Sequence, residues 1–130
     1  MIRRANLDDV ESLMELESRL FDNAMNSRML EYELVKGQGW IYGDMLGYIL
    51  VRFDAGLMDI TRLGVHPDHR RQGIGRKLLE LALSESPNAM LTVKKDNAAA
   101  ILLYRQYDFE VVAHMAGAGA FVMRRKVKAA

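Results

Sequence analysis

Residues 63–76 constrain the fold of this chain more than any other part of the sequence. The apolar run of a strand ends at Val65, and a helical pattern begins at Gln72 after a short polar loop. A helix that starts in this way directs free backbone N–H groups and the positive end of its dipole at the loop. Because Gly73 and Gly75 lack a Cβ atom, an anion can approach the main chain closely, and nearby arginines add charge-assisted hydrogen bonds. The segment therefore predicts a site for a pyrophosphate group.

The same glycines have other interpretations. An isolated Gly-x-Gly is more often a tight turn, with neighbouring arginines on a solvated face. A Walker phosphate loop is excluded because no Gly-Lys-Ser/Thr follows. A dinucleotide-binding fingerprint is excluded because it needs three glycines at an early position in the chain.

Composition predicts one globular domain over residues 1–130. It also predicts no overall positive charge strong enough to attract a polyanion such as nucleic acid. Half of the residues are hydrophobic, which is enough for one core. Lys and Arg total 18 and Asp and Glu total 17, so the net charge is only +1. The basic tail at 124–128 is therefore expected to be a solvated strand end, and no nucleic-acid partner is expected.

The sequence lacks cysteine, metal-binding histidine spacing and long apolar stretches, and these absences exclude several classes of site. The lack of cysteine excludes disulfides, thiolate metal sites and a cysteine acyl intermediate, and it favours the cytoplasm. The histidines at 66, 69 and 114 lack the spacing of a metal site, so no metal is expected. We also expect no signal peptide and no membrane partner, because the longest apolar stretch is too short to cross a bilayer.

The periodicity of apolar residues predicts an α/β fold, with a mixed, mostly antiparallel sheet of about six or seven strands and helices on both faces. The predicted strands cover residues 2–4, 40–42, 45–53, 57–65, 90–93, 109–113 and 120–126. The first predicted helix follows the capping residues at 6–9, and the others cover residues 27–36, 72–84 and 97–107.

Two linked motifs resemble the GNAT acetyltransferase superfamily. Residues 70–75, Arg-Arg-Gln-Gly-Ile-Gly, are similar to its acetyl-CoA signature Arg/Gln-x-x-Gly-x-Gly/Ala. Residues 97–109 are similar to its next motif, Asn-x-x-Ala-x-x-Leu-Tyr-x-x-x-Gly-Phe, and include Asn97, Tyr104 and Phe109. The resemblance covers essentially the whole chain, and within the superfamily it is closest to ribosomal-protein alanine N-acetyltransferases.

The resemblance implies a GNAT fold and an acetyl-CoA-dependent N-acetyltransferase, in which an amine attacks the thioester directly in a ternary complex. The parallel fourth and fifth strands are expected to part and admit the cofactor, and backbone N–H groups of the fourth strand polarise the thioester carbonyl. The residues implied to bind acetyl-CoA are Leu63, Gly64, Val65, Arg70, Arg71, Gln72, Gly73, Ile74, Gly75, Arg76, Asn97 and Tyr104.

Tyr104 is implied to be the catalytic acid. A phenol with a pKa of about 10 is still protonated at neutral pH and can supply a proton to the departing sulfur. Its structural alternative is a half-buried helix tyrosine that anchors the core. Asn97 has a similar alternative, because it also suits a plain helix N-cap.

The sequence departs from the family pattern at three places. Thr92 replaces the glutamate that serves relatives as general base, and Asp59 is the best remaining carboxylate, acting through water. The alternative for Asp59 is a position at an exposed strand edge. Asp108 replaces a glycine after a helix, where its tolerance of left-handed backbone predicts a small cost. The short connection at 114–119 consists mainly of small residues, which predicts an open or mobile acceptor cleft.

Three functions stay open from the sequence. The first is acetyl transfer to a primary amine such as a protein N-terminus. The second is acetyl transfer to a small-molecule amine. The third is a non-catalytic acyl-CoA-binding module, which Thr92 keeps open. The expected partners are acetyl-CoA and the amine acceptor, and a homodimer is left open.

Overall fold

The computed structural model describes residues 1–126, and within them a seven-stranded sheet carries helices on both faces, which confirms the predicted α/β class. The strands are β1 (Ile2–Arg4), β2 (Gln38–Tyr42), β3 (Gly47–Asp54), β4 (Leu57–Val65), β5 (Ala89–Lys94), β6 (Phe109–Met115) and β7 (Ala120–Arg125). The α-helices are α1 (Val10–Leu20), α2 (Ser27–Lys36), α3 (Ile74–Glu85) and α4 (Ala98–Arg105). Short 3₁₀ helices cover Leu7–Asp9, Pro67–His69 and Ala116–Ala118. Residues 127–128 of the basic tail lie outside the described range.

The strands follow the order β1-β2-β3-β4-β5-β7-β6 across the sheet. Neighbouring strands run antiparallel except β4 and β5, which run parallel. Parallel neighbours need a crossover connection, and α3 provides it. The N-terminus of α3 consequently follows the carboxyl end of β4 after a short loop. In residues 1–126 no helix has the length and apolar character to cross a bilayer.

The sheet separates two apolar clusters, because successive side chains of a strand point to opposite faces. In β3, Ile49 and Val51 face the cluster under α3 and α4, whereas Tyr48 and Leu50 face the cluster under α1 and α2. Leu78 of α3 is fully buried in the first cluster. The predicted coverage of both faces is thus confirmed.

Most predicted boundaries are close to the observed ones, and the differences have local causes. The bounds of α2 and β4 are those predicted. The helix α3 begins at Ile74 rather than at residue 72, because Gly73 is its N-cap and has the left-handed φ of 78°. Strand β3 begins at Gly47 rather than at residue 45, because Met45 belongs to the preceding turn and has a φ of 56°. Asp108 has a φ of 70°, the left-handed conformation that its position after a helix predicts.

We expect Gly37→Ala to destabilise the fold by about 2 kcal/mol, the cost of overpacking against atoms that cannot move aside. A Cβ atom at Gly37 would collide with the backbone carbonyl oxygen of Val51 and would lie 3.0 Å from that of Glu33. Urea unfolding measures the change. Gly117→Ala is the matched control, because a Cβ atom there meets nothing within 4 Å. Equal stability of the two variants would contradict the expectation.

Candidate active site

The central feature of the candidate site is the parting of β4 from β5. The two strands pair at Met58–Ala89, Asp59–Met90 and Ile60–Leu91, and within the described residues their pairing ends there. Beyond that point β5 continues beside β7, while β4 continues beside β3 alone. On that side of β4, backbone N–H and C=O groups of residues 61–65 are therefore not paired with β5, and they could bind a ligand.

A β-bulge in β4 lies at the point of parting. Arg62 pairs with Leu50 while Ile60 pairs with Val51, so Thr61 is the extra residue. A bulge bends its strand and increases the local twist, which turns the remainder of β4 away from β5. The Thr61 hydroxyl donates to a carboxylate oxygen of Glu33 at 2.7 Å and so ties the bulge to α2.

The start of α3 is the second part of the site. No side chain caps this helix, whereas Asn26 caps α2 and Asn97 caps α4. The first-turn N–H groups of α3 therefore remain available for an anion. Gly73 is exposed, and a Cβ atom there would meet nothing within 4 Å, so the space above it is open. An uncapped helix start with open space fits the diphosphate of CoA.

Gly75 has a different role from Gly73. A Cβ atom at Gly75 would lie 3.5 Å from the Val65 side chain and 4.0 Å from that of Leu103. The end of β4, the first turn of α3 and the helix α4 thus meet at Gly75. Its small size serves this close packing, and Gly73 is the glycine that faces open space.

The two arginines of the signature and the arginine that follows it are placed differently. Arg70 and Arg71 are exposed in the loop before α3, and Arg71 has a left-handed φ of 65°. Arg76 instead turns toward the end of α4, where its guanidinium donates to the Gln106 side chain at 2.5 Å and to the Tyr107 hydroxyl at 3.2 Å. Arg76 would have to break these hydrogen bonds to reach a phosphate. Arg70 and Arg71 make no side-chain hydrogen bond within residues 1–126, so they could bind a phosphate without breaking one.

Tyr104 lies on α4 with 8% of its surface exposed, and its ring packs against Phe109 with 5.8 Å between the ring centroids. Burial raises the pKa of Tyr104 to about 12. In the described part of the chain its hydroxyl has no hydrogen-bond partner, so the proton is not committed to an internal acceptor. The tyrosine thus anchors the core and also keeps a proton at neutral pH. Asn97 caps α4, accepting from the backbone N–H of Ala100 at 3.2 Å.

Asp59 does not lie at a strand edge, so that alternative is wrong. It is half-buried on β4, paired on one side with Arg52 of β3 and on the other with Met90 of β5. Burial raises the pKa of Asp59, the positive charge of Arg52 lowers it and the negative charge of Glu33 raises it, with a net rise. Asp59 precedes the bulge by two residues, about 7 Å along a strand. Thr92 is exposed on β5 beside Val122.

Sequence reasoning missed two buried carboxylates on the face of α1 and α2. Glu17 and Glu33 are 0% and 3% exposed, and they pair with Arg62 and Arg52 respectively. The sequence does indicate that Glu17 is buried, because it stands four residues after Leu13 and therefore on the apolar side of the helix. Among residues 1–126 there is no cluster of three His, Cys, Asp or Glu that could hold a metal ion.

A family model described as the acetyltransferase (GNAT) domain matches residues 35–111, which is more than half of the chain. The chain belongs to the GNAT acetyltransferase family. Acetyl-CoA is the co-substrate of these enzymes.

Relatives agree with this assignment. The chain is 31% identical over 137 residues to the N-alpha-acetyltransferase RimI of Mycobacterium tuberculosis, covering 90% of this chain and 86% of that protein. It is 32% identical over 143 residues to an uncharacterised protein of Mycobacterium leprae, covering 92% of this chain but only 39% of that longer protein. The crystal structure of the ribosomal-protein-S18-alanine N-acetyltransferase from Escherichia coli superposes with a TM-score of 0.88 at 21% identity, covering 100% of this chain and 95% of that chain. This last similarity confirms the GNAT fold.

We expect Gly73→Val to weaken CoA binding at least about tenfold, because the side chain would enter the open space where phosphates approach the backbone. Gly56→Val is the matched control: Gly56 has a φ of 81°, close to the 78° of Gly73, and a Cβ atom at either position meets nothing within 4 Å. Both variants carry the same backbone strain, but Gly56 lies in the β3–β4 hairpin. Calorimetric titration with CoA measures the difference, and equal affinities would place the diphosphate elsewhere.

Proposed function

We propose that this protein transfers the acetyl group of acetyl-CoA to the N-terminal amine of a protein, by direct attack in a ternary complex. The observation that carries the proposal is the open edge of β4, which leads directly to the uncapped start of α3. Family membership supports acetyl transfer, and the relative named as an N-alpha-acetyltransferase supports a protein N-terminus as acceptor. The lack of cysteine supports the cytoplasm as its compartment.

The chain offers one backbone site for the pantetheine arm of the cofactor and another for its diphosphate. Leu63, Gly64 and Val65 have backbone groups along the open edge that suit the amides of a pantetheine arm. The N–H groups at Ile74 and beyond suit the diphosphate, with Arg70 and Arg71 on the same loop to neutralise its charge. The two sites are close together because the first turn of α3, at Gly75, packs against Val65 at the end of β4.

Acetyl-CoA supplies an activated acyl group whose carbonyl carbon accepts the amine while the carbon–sulfur bond breaks. Tyr104 then donates its phenolic proton to the sulfur, which leaves as a thiol. A phenol held protonated by burial can act in this way throughout the neutral range. Backbone N–H groups of β4 near the bulge stabilise the carbonyl oxygen as negative charge develops there.

Asp59 is the proposed proton acceptor for the amine. An N-terminal ammonium group has a pKa of about 8, so it needs less help than an alkyl amine. The raised pKa of Asp59 makes its carboxylate a better base than an ordinary aspartate. About 7 Å along the strand separates its position on β4 from the bulge, so the proposed proton transfer passes through water and not by direct contact.

We expect Tyr104→Phe to lower kcat at least about a hundredfold, because the sulfur loses its proton donor. The CoA dissociation constant should change little, since the aromatic ring stays in the core. Release of thiol from acetyl-CoA measures kcat. Tyr42→Phe on β2 is the control and should retain kcat within about twofold. Tight CoA binding by the wild type, with no turnover on a panel of peptide and polyamine acceptors, would favour a binding module, and turnover on polyamines alone would favour a small-molecule acetyltransferase.

We expect kcat of the wild type to rise with pH through the raised pKa of Asp59, because the carboxyl group accepts a proton only after it has ionised. In Asp59→Asn this acidic limb should disappear, leaving a rise at the pKa of the amine itself. No decline from Tyr104 is expected up to pH 9, since its pKa is about 12. Initial rates between about pH 5 and 9 provide the measurement. The exposed residue Asp44 provides the control variant, Asp44→Asn. If kcat rises with pH in the same way in Asp59→Asn and in Asp44→Asn, Asp59 is not the proton acceptor.

A further inference from the structure

Glu17 is a fully buried carboxylate near the end of α1, inside an apolar cluster. One of its oxygens lies 2.9 Å from Nη2 of Arg62 on β4, and the other lies 3.0 Å from Nε of the same guanidinium. The Tyr48 hydroxyl of β3 also donates to it, and burial together with this hydrogen bond raises the pKa of Tyr48, so the phenol remains a donor. A buried carboxylate is expensive unless its acceptors are satisfied, and here three elements converge to satisfy them.

The same ion pair holds the loop between α1 and α2, residues 21–26. Glu17 accepts from the backbone N–H of Met25 at 2.9 Å. Arg62 donates to the backbone carbonyl of Asn23 at 3.0 Å, and its guanidinium lies 4.1 Å from the centre of the Phe21 ring. Three alternate residues of the loop are thus attached to one buried pair.

This attachment joins the cofactor strand to a cavity on the other side of the loop. Arg62 stands between the bulge residue Thr61 and Leu63, where the open edge of β4 begins. Met25 lines a cavity of about 320 Å³ together with Met29, Tyr32 and three polar residues. The position of Met25, and with it the shape of the cavity, depends on the hydrogen bond that Glu17 accepts.

We infer that Glu17 and Arg62 are positioning residues that hold residues 21–26 as a wall of the acceptor site and thereby set how well a protein N-terminus binds. The inference rests on the proposed function. Neither residue touches the reacting atoms in the proposed mechanism. Arg62, next to the bulge, holds the loop through Asn23 and Phe21, and Glu17 holds it through Met25. The second pair, of the buried Glu33 with the partly exposed Arg52, reaches β4 through Thr61 but makes no hydrogen bond to residues 21–26 in the described part of the chain.

The principal variant is Glu17→Gln. The amide keeps the shape of the side chain but places an NH₂ group where donors converge, so at least one donor loses its acceptor. We expect KM for an N-terminal peptide to rise about tenfold, with kcat and the CoA dissociation constant changed less than about threefold. Asp9→Asn is the matched control, because it breaks another carboxylate–arginine pair, with Arg3 at 2.8 Å, far from the loop.

Phe21→Ala is the second variant, and it leaves the buried carboxylate intact if Glu17→Gln does not fold. Removal of the ring frees one side of the Arg62 guanidinium, so KM should rise in the same direction by about threefold. Hydrogen exchange of residues 21–26, measured on the same proteins without any substrate, should be about tenfold faster in Glu17→Gln and unchanged in Asp9→Asn. If Glu17→Gln is unfolded, the Phe21→Ala values for exchange and KM decide the question.

A rise in KM together with faster loop exchange supports the inference. Unchanged exchange of residues 21–26 overturns it, whatever the turnover. Faster exchange with an unchanged KM also overturns it, because the loop would then not be a wall of the acceptor site. If the wild type acetylates no peptide, faster exchange still supports the role of the pair in holding the loop, and it is the proposed function that fails.

Discussion

The loss of pairing between β4 and β5 after Ile60 and Leu91 is the constraint on which the rest of the structure depends. The arrangement is stable because β5 takes β7 as its neighbour, so the unpaired backbone groups fall on β4 alone. The parallel direction of these strands requires the crossover helix α3, and the same crossover brings an uncapped helix start to the end of the open edge. One topological feature thus supplies both an extended backbone edge and the uncapped helix start that we propose as the diphosphate site.

The face of the sheet opposite α3 is organised by buried charge as well as by apolar packing. Glu17 and Glu33 each pair with an arginine of a neighbouring strand, and each arginine also stacks on an aromatic ring. Replacing a buried ion pair by apolar residues often leaves stability unchanged or improves it, so stability alone does not account for a buried pair. Here they tie two helices and the loop between them to the bulge, next to the site where chemistry is proposed.

Local patterns in the sequence predicted the fold well, and they predicted the site only in part. The bounds of β4 and α2 follow from apolar periodicity and turn residues, and the two motifs identify the family. The start of α3 was placed two residues too early, since periodicity does not show that Gly73 is left-handed. The pair of Glu17 with Arg62 joins residues 45 positions apart, and no local pattern indicates which arginine a buried glutamate will meet.

The electrostatics around Asp59 support its proposed role as the base in a chain that has Thr92 in place of a glutamate. The positive charge of Arg52 lowers the pKa of Asp59, but Arg52 is paired with Glu33, whose negative charge raises that pKa. Burial then outweighs the attraction of Arg52, and the carboxylate becomes more basic than an ordinary aspartate. In the proposed mechanism the base therefore lies on β4 and not on its neighbour β5. In that mechanism water carries the proton to Asp59, because this residue lies before the parting of the strands. An N-terminal amine suits such a route better than a lysine side chain, because it is less basic.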